Sequence, residues 1–177
     1  MKLKLFPLTN RFGRRGTIDR ALALFHERGG RVIVEIGSIR RANPRARLWD
    51  GHSTVAWAMH AEKVYSVDVD TFASDLTRRL TEEFGNVEVV NGDGLEFLQL
   101  FCGQIDLLYL DAWDTHLPNC RSKHLDAYRV ARSLLHDRSL ILIDDARVKG
   151  AFVVPEAVRD GFSVVFNEYQ VLLAKCF

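Results

Sequence analysis

A chain of 177 residues suits one globular domain with a full core and leaves little for a second. Hydrophobic residues make up 47% and charged residues 27%, the composition of a soluble protein. A formal net charge of +1 gives no global electrostatic reason to bind nucleic acid or a membrane surface, and no apolar run approaches the ~18–20 residues of a membrane span.

Residues 1–30 read as an N-terminal arm and one helix, and residues 31–177 as the core of a single domain. Residues 1–10 lack the apolar run of a signal peptide. Cys102, Cys120 and Cys176 are widely spaced and form no CxxC pair, so neither a disulfide framework nor a zinc site is expected. Cys102 and Cys176 stand among apolar neighbours and read as small core residues in a reducing, cytoplasmic protein.

The first helix is expected over residues 17–28, with Thr17 as N-cap, Ile18, Leu22 and Phe25 as its apolar stripe and Gly29 as its stop. Residues 31–37 follow as strand one. Ser53 is placed to cap a second helix over 54–61, and strand two covers 64–69. Residues 71–84 form an amphipathic helix with Phe72, Leu76 and Leu80 on one face. Strand three (86–90), a short helix (95–101), strand four (105–110) and a longer helix (119–135) come next. Strand five (139–143) precedes a short helix over 155–159 with Pro155 in an early position. The last two strands, 162–166 and 170–176, are joined by a few residues and should be antiparallel neighbours. Strands alternating with helices before a terminal hairpin predict an α/β fold: a doubly wound, mostly parallel sheet with an antiparallel edge.

In such a sheet ligands bind outside the carboxyl ends of the strands, and here those ends carry acids and glycines. Glu35, Gly37 and Ser38 close strand one, where a glycine lets the backbone approach a ligand. The turn Asp50-Gly51-His52-Ser53-Thr54 then opens a helix whose first amides can hold an anionic group such as a carboxylate. Asp68 ends strand two, where a carboxylate can accept ribose hydroxyls; Asp70 reads as a helix cap. Asp93, between Gly92 and Gly94, can meet an adenine edge or cap the next helix. Asp111, Asp144 and Asp145 end strands four and five. Three carboxylates in one cleft need a cation, a shared proton or solvent, and oxygen ligands suit Mg²⁺ or another divalent cation. The competing role for Asp144 or Asp145 is an ion pair with Arg147. Trp113 can wall a substrate pocket or fill the core, and Asp114 and His116 are the nearest candidates for a general base. Arg40, Arg41, Arg45 and Arg47 crowd an insert over residues 39–49, expected to be a lid over the pocket, an oligomer contact or a solvated loop.

With those residues placed, the chain resembles the class I S-adenosylmethionine-dependent methyltransferases over residues 31–176. VEIGS is similar to the family's first motif, VYSVDVD to its ribose-binding strand end, VVNGDG to its adenine-side turn and LLYLDAWD to its fourth motif. FSVVFNEYQVLLAKC resembles its terminal hairpin. The resemblance implies a Rossmann-like seven-stranded sheet in the order 3-2-1-4-5-7-6. It implies a cofactor site from Glu35, Gly37, Ser38, Gly51, Ser53, Asp68, Asp93 and Asp111, with Ser53 near the methionine carboxylate. LDAWD followed by IDDA is similar to the metal-dependent, catechol-type O-methyltransferases. That likeness implies Asp111, Asp144 and Asp145 as ligands of Mg²⁺, and Asp111, Asp114 and His116 as the catalytic candidates. Two departures stand out: Asp114 occupies the place of that group's basic lysine, and the Arg-rich insert splits the first motif.

The expected activity is therefore metal-assisted O-methylation of a small molecule, an anionic one among the candidates, by a protein able to form homo-oligomers. The alternatives are a nucleic-acid methyltransferase that holds phosphates with the Arg-rich loop, and a non-catalytic S-adenosylmethionine-binding module. Near-zero net charge makes the nucleic-acid partner the less expected.

Overall fold

The computed structural model describes residues 14–41 and 52–175. Seven strands form one sheet: β1 (Val32–Ile36), β2 (Lys63–Asp68), β3 (Val87–Asn91), β4 (Ile105–Leu110), β5 (Leu135–Ile143), β6 (Phe162–Asn167) and β7 (Val171–Lys175). Their order is β3-β2-β1-β4-β5-β7-β6. The first five are parallel to one another, and β7 runs antiparallel between β5 and β6. Six α-helices flank it among the described residues: α1 (Arg14–Glu27), α2 (Ser53–Ala58), α3 (Thr71–Thr81), α4 (Gly94–Leu100), α5 (Cys120–Ala131) and α6 (Gly150–Arg159).

Central strands covered on both faces must be apolar at every position rather than at alternate ones. Thus Leu107 to Leu110 of β4 and Leu140 to Ile143 of β5 are all buried. Alternation sends Ile33, Leu107, Tyr109, Leu140 and Leu142 towards Ile18, Leu22 and Phe25 of α1 and Trp57 of α2. It sends Val34, Ile36, Leu108, Leu110, Ile141 and Ile143 towards Leu98 of α4, Tyr128 of α5 and Val153 and Ala157 of α6. The two-sided apolar pattern therefore becomes a three-layer sandwich, and the carboxyl ends of β1 to β5 emerge along one edge.

Several local expectations change. Helix α1 starts at Arg14, so Thr17 is no cap; it lies buried inside the helix, and its hydroxyl bonds Oε1 of Gln170. Ser53 does not cap α2, because His52 precedes it in the left-handed conformation (φ 41°) without a side-chain cap. The hydroxyl of Ser53 is used instead on Glu35. Leu76 is buried, but Phe72 is 63% exposed: the capping turn at Asp70 places it on the solvent side. Strand β5 starts four residues early, with an irregular pairing to β4; Ser139 bridges it by accepting His136 N–H (2.8 Å) and donating to the Ile105 carbonyl (2.6 Å).

Helix α6 begins at Gly150, placing Pro155 inside it. Proline there removes one helical hydrogen bond; it stands on the exposed side, while Val153 and Ala157 bury the opposite face against the core. Cys102 is exposed rather than in the core, and Cys120 is buried; Cys102 follows α4 in the surface turn leading to β4. Cys176 lies outside the described residues.

Candidate functional site

The strand order reverses between β1 and β4, and a crevice opens there at the carboxyl edge. Backbone bonds draw its walls together: Gly37 N donates to the Val67 carbonyl and Asp111 N to the Ile36 carbonyl, each at 2.8 Å. Gly37 has φ +104°, and a Cβ there would lie 2.7–2.8 Å from the backbone of Asp111 and Ala112. A cavity of about 270 Å³ lies beside this contact, lined by Ile36, Arg40, Val67 to Asp70, Gly92 to Gly94, Ala112 to Asp114 and Leu117.

Asp68 is held rigidly in that wall. Its Oδ2 accepts Ser38 N–H (2.8 Å) and its Oδ1 accepts Asp70 N–H (2.9 Å). Ser38 is thus a support for Asp68, and its hydroxyl lies 2.9 Å from that of Ser66. Asp93 caps α4 through Oδ1, which accepts Leu95 N–H (2.7 Å) and Glu96 N–H (3.1 Å), while the residue also lines the cavity. Asp70 caps α3 by accepting Phe72 N–H at 2.8 Å. Gly51 lies outside the described residues.

Glu35 points away from the cavity. It is wholly buried under α2, and its carboxylate accepts hydrogen bonds from Ser53, Thr54, Ser66 (2.7 Å) and Trp57 Nε1 (3.0 Å). It therefore ties the helix-opening turn to β1 and β2 instead of facing a ligand. Burial raises its pKa to about 7, against the opposing effect of the four donors.

A carboxyl that holds its proton more tightly when folded lowers stability as pH rises between its unfolded value, 4.5, and about 7. The loss expected is on the order of 3 kcal/mol. Glutamine could keep these bonds, because three of the donors are hydroxyls able to turn and accept. Glu35→Gln is therefore expected to flatten stability between pH 5 and pH 8, read by denaturant unfolding. A slope equal to that of the parent would reject this role for Glu35.

Asp111, Asp144 and Asp145 converge, with one oxygen from each within 4.8 Å of the others. Among the described residues the cation at this cluster is Lys149, 3% exposed, whose Nζ lies 2.5 Å from Asp111 Oδ1, 3.4 Å from Asp145 Oδ2 and 3.9 Å from Asp144 Oδ2. Burial pulls the lysine pKa down, but the three carboxylates outweigh it and the net shift is upward. Arg147, the partner considered from sequence, is exposed. Asp144 is fully buried and accepts Gln170 Nε2 at 2.8 Å; Tyr109 Oη lies 3.0 Å from the same amide and donates to Asp111 Oδ2 at 3.3 Å. With Thr17 bonded to Gln170, a buried polar chain links α1 to the strand-end acids.

Asp114 lines the cavity and accepts Arg40 Nη1 at 2.5 Å, an ion pair between the loops after β1 and β4. The Arg40 hydrogen bond holds its carboxyl below the usual range, making it a weak base. His116 is exposed and lines a different hollow, with Pro118, Cys120 and Arg121; the structure does not bring it to the cavity. Trp113 does face the cavity, in a left-handed conformation (φ 44°), with its ring edge-on to His124 at 5.1 Å. Burial pushes His124 down to about 4, so this support is neutral near pH 7. Arg41 is exposed, and its carbonyl accepts His52 Nε2 at 2.9 Å; Pro44, Arg45 and Arg47 lie outside the described residues.

Sequence reasoning missed Lys149, Tyr109 and Gln170. The four-residue spacing of Asp145 and Lys149 was the available signal, since such pairs meet on a helical turn. Nothing local marked Tyr109 or Gln170, which are 61 residues apart.

No family model matches the chain, and no curated protein matches it. Solved structures do. A candidate methyltransferase from Streptococcus mutans, solved with SAH, superposes with TM-score 0.65 at 16% identity, over 93% of this chain and 99% of that one. An rRNA methylase from Streptococcus thermophilus gives 0.68 at 15% identity, over 95% and 100%. The N-methyltransferase NodS from Bradyrhizobium japonicum, in complex with S-adenosyl-L-homocysteine, gives 0.62 at 15% identity, over 94% and 92%. At such identities the likeness is one of fold, and by strand order and superposition this chain has the Rossmann-like fold of the class I methyltransferases.

Proposed function

We propose that this protein binds S-adenosylmethionine across the carboxyl ends of β1 to β4 and passes its methyl group to an acceptor beside Trp113 and Asp114. The observation that carries this reading is Asp68: a carboxylate fixed by two backbone amides in the wall of a 270 Å³ cavity at the switch point. Ribose hydroxyls could bond to it there, with Gly92 to Gly94 bordering the base. SAH in two of the superposed structures supports the same choice of ligand. In the transfer, an acceptor atom bonds to the methyl carbon as the carbon–sulfur bond breaks. The bonding pair goes to sulfur, and the acceptor proton leaves for solvent or a nearby carboxylate. The protein's contribution is alignment, worth several kcal/mol when the reacting atoms are held in line.

Asp68→Ala should weaken S-adenosylmethionine and SAH binding about ten- to a hundredfold, the loss of charge-assisted hydrogen bonds worth roughly 1.5–3 kcal/mol. Calorimetry on a variant of unchanged melting temperature is the test, and equal affinity would remove Asp68 from the site.

Our reading of the acceptor is a small molecule methylated on oxygen. Metal assistance would require a divalent ion among Asp111, Asp144 and Asp145, and with Lys149 in place those residues do not fit one. A nucleic-acid acceptor draws support from the rRNA methylase likeness; binding that falls steeply with salt would favour it. A non-catalytic binding module draws support from Asp114, engaged by Arg40; absence of methyl transfer to any acceptor with S-adenosylmethionine bound would favour that.

A further inference from the structure

We propose that Lys149 takes the place of a divalent cation between the carboxylates at the ends of β4 and β5, so that this site works without a metal. The inference rests on the methyltransferase reading for its functional meaning, but its geometry stands apart. Lys149 Nζ reaches one oxygen of each of the three acids, and its side chain is 4% exposed. Its backbone is anchored as well: Lys149 N donates to the Asp145 carbonyl at 3.1 Å, immediately before α6. The ammonium is therefore tethered to the acidic cluster it bridges. A divalent ion entering there would stand within a few ångström of a like charge, in a place where burial leaves little water to screen it.

Neighbouring donors complete the arrangement. Among the described residues, Tyr109 Oη donates to Asp111 Oδ2 and Gln170 Nε2 to Asp144 Oδ1, while the lysine bridges oxygens of all three acids. Lys149 Nζ also donates to the Asp111 carbonyl at 3.3 Å, at the start of the loop that carries Ala112, Trp113 and Asp114 to the cavity wall. One ammonium thus offsets part of the acids' charge and orients the acceptor side of the site. Lys149 is a positioning residue in this scheme, and the carboxylates are kept from metal by an internal cation.

The test is Mn²⁺ binding, followed by electron paramagnetic resonance and by melting temperature, on the full chain and on Lys149→Met. Removing the ammonium frees oxygen ligands of the type divalent ions prefer. The parent is expected to bind no stoichiometric Mn²⁺ up to about 1 mM, whereas Lys149→Met should gain one site at least tenfold tighter than any in the parent. Its melting temperature should rise saturably with Mn²⁺, because a ligand bound only by the folded state stabilises it. Adding Asp145→Asn should abolish that site. A parent that binds one Mn²⁺ as tightly as Lys149→Met, and loses it in Asp145→Asn, would overturn the proposal. So would a folded Lys149→Met without a gained site. Should Lys149→Met not fold, a parent that binds one Mn²⁺ below about 1 mM and loses it in Asp145→Asn would still overturn the proposal, and a parent that binds none would support it. SAH calorimetry on the parent reports separately on the methyltransferase reading, since its failure would leave the ion result standing.

Discussion

Gly37→Ala is expected to be among the most damaging single-methyl changes available in this chain. The new Cβ would lie 2.7–2.8 Å from the carbonyl of Asp111 and the amide of Ala112, and these are backbone atoms that cannot swing aside. The residue also sits at φ +104°, where a side chain costs about 1–3 kcal/mol in strain. Overpacking of a closed contact adds about 1–3 kcal/mol. The sum, roughly 2–6 kcal/mol, is a large part of the 5–15 kcal/mol typical of a domain. Because the clash parts the ends of β1 and β4, SAH binding should fall with stability. Gly85 is the control: a Cβ there meets nothing within 4 Å, so Gly85→Ala should stay within about 0.5 kcal/mol of the parent. Chemical denaturation of the two variants side by side checks the claim, and equal losses would show that the approach of β1 to β4 is not tight.

Lys149→Met is expected to produce the second large loss. Removing one member of a buried charge cluster strands its partners, at about 3–5 kcal/mol. For a chain of this size that is roughly 6–20 °C in Tm. The comparison is Arg20, whose ion pair with Glu168 at 2.7 Å leaves both side chains 43% exposed; exposed pairs contribute about 0–1 kcal/mol. Two cations at similar distances from their partners should therefore differ severalfold in effect when replaced. Should Lys149→Met cost no more than Arg20→Ala, solvent rather than lysine would be the main screen of the three acids.

What was legible in the sequence depended on periodicity and on chain position. Apolar runs too continuous for a half-exposed sheet marked the central strands, and the acids closing them marked the edge where a ligand would lie. The cap at Asp70 and the dual position of Asp93 were readable because capping is local, resolved within three residues. Thr17 misled for the same reason: it has the chemistry of a cap, but its partner Gln170 is 153 residues away. Phe72 misled because helical spacing names a face without saying where that face stops being covered.

The sequence by itself determined a doubly wound sheet, its terminal hairpin and the placement of acids at the strand ends. These follow from continuous apolar runs closed by acids, a 3.6-residue helix period and the short turns between them. Only the tertiary structure decided what each acid does. Glu35 and Ile36 are adjacent, yet alternation turns one under α2 and the other into the cavity wall. Asp114 acquires Arg40 from 74 residues away, and Asp111 acquires Lys149 from 38 residues away. A buried charge must find its counter-charge wherever folding brings one, and that pairing is set by distance in space, which the order of residues along the chain does not record.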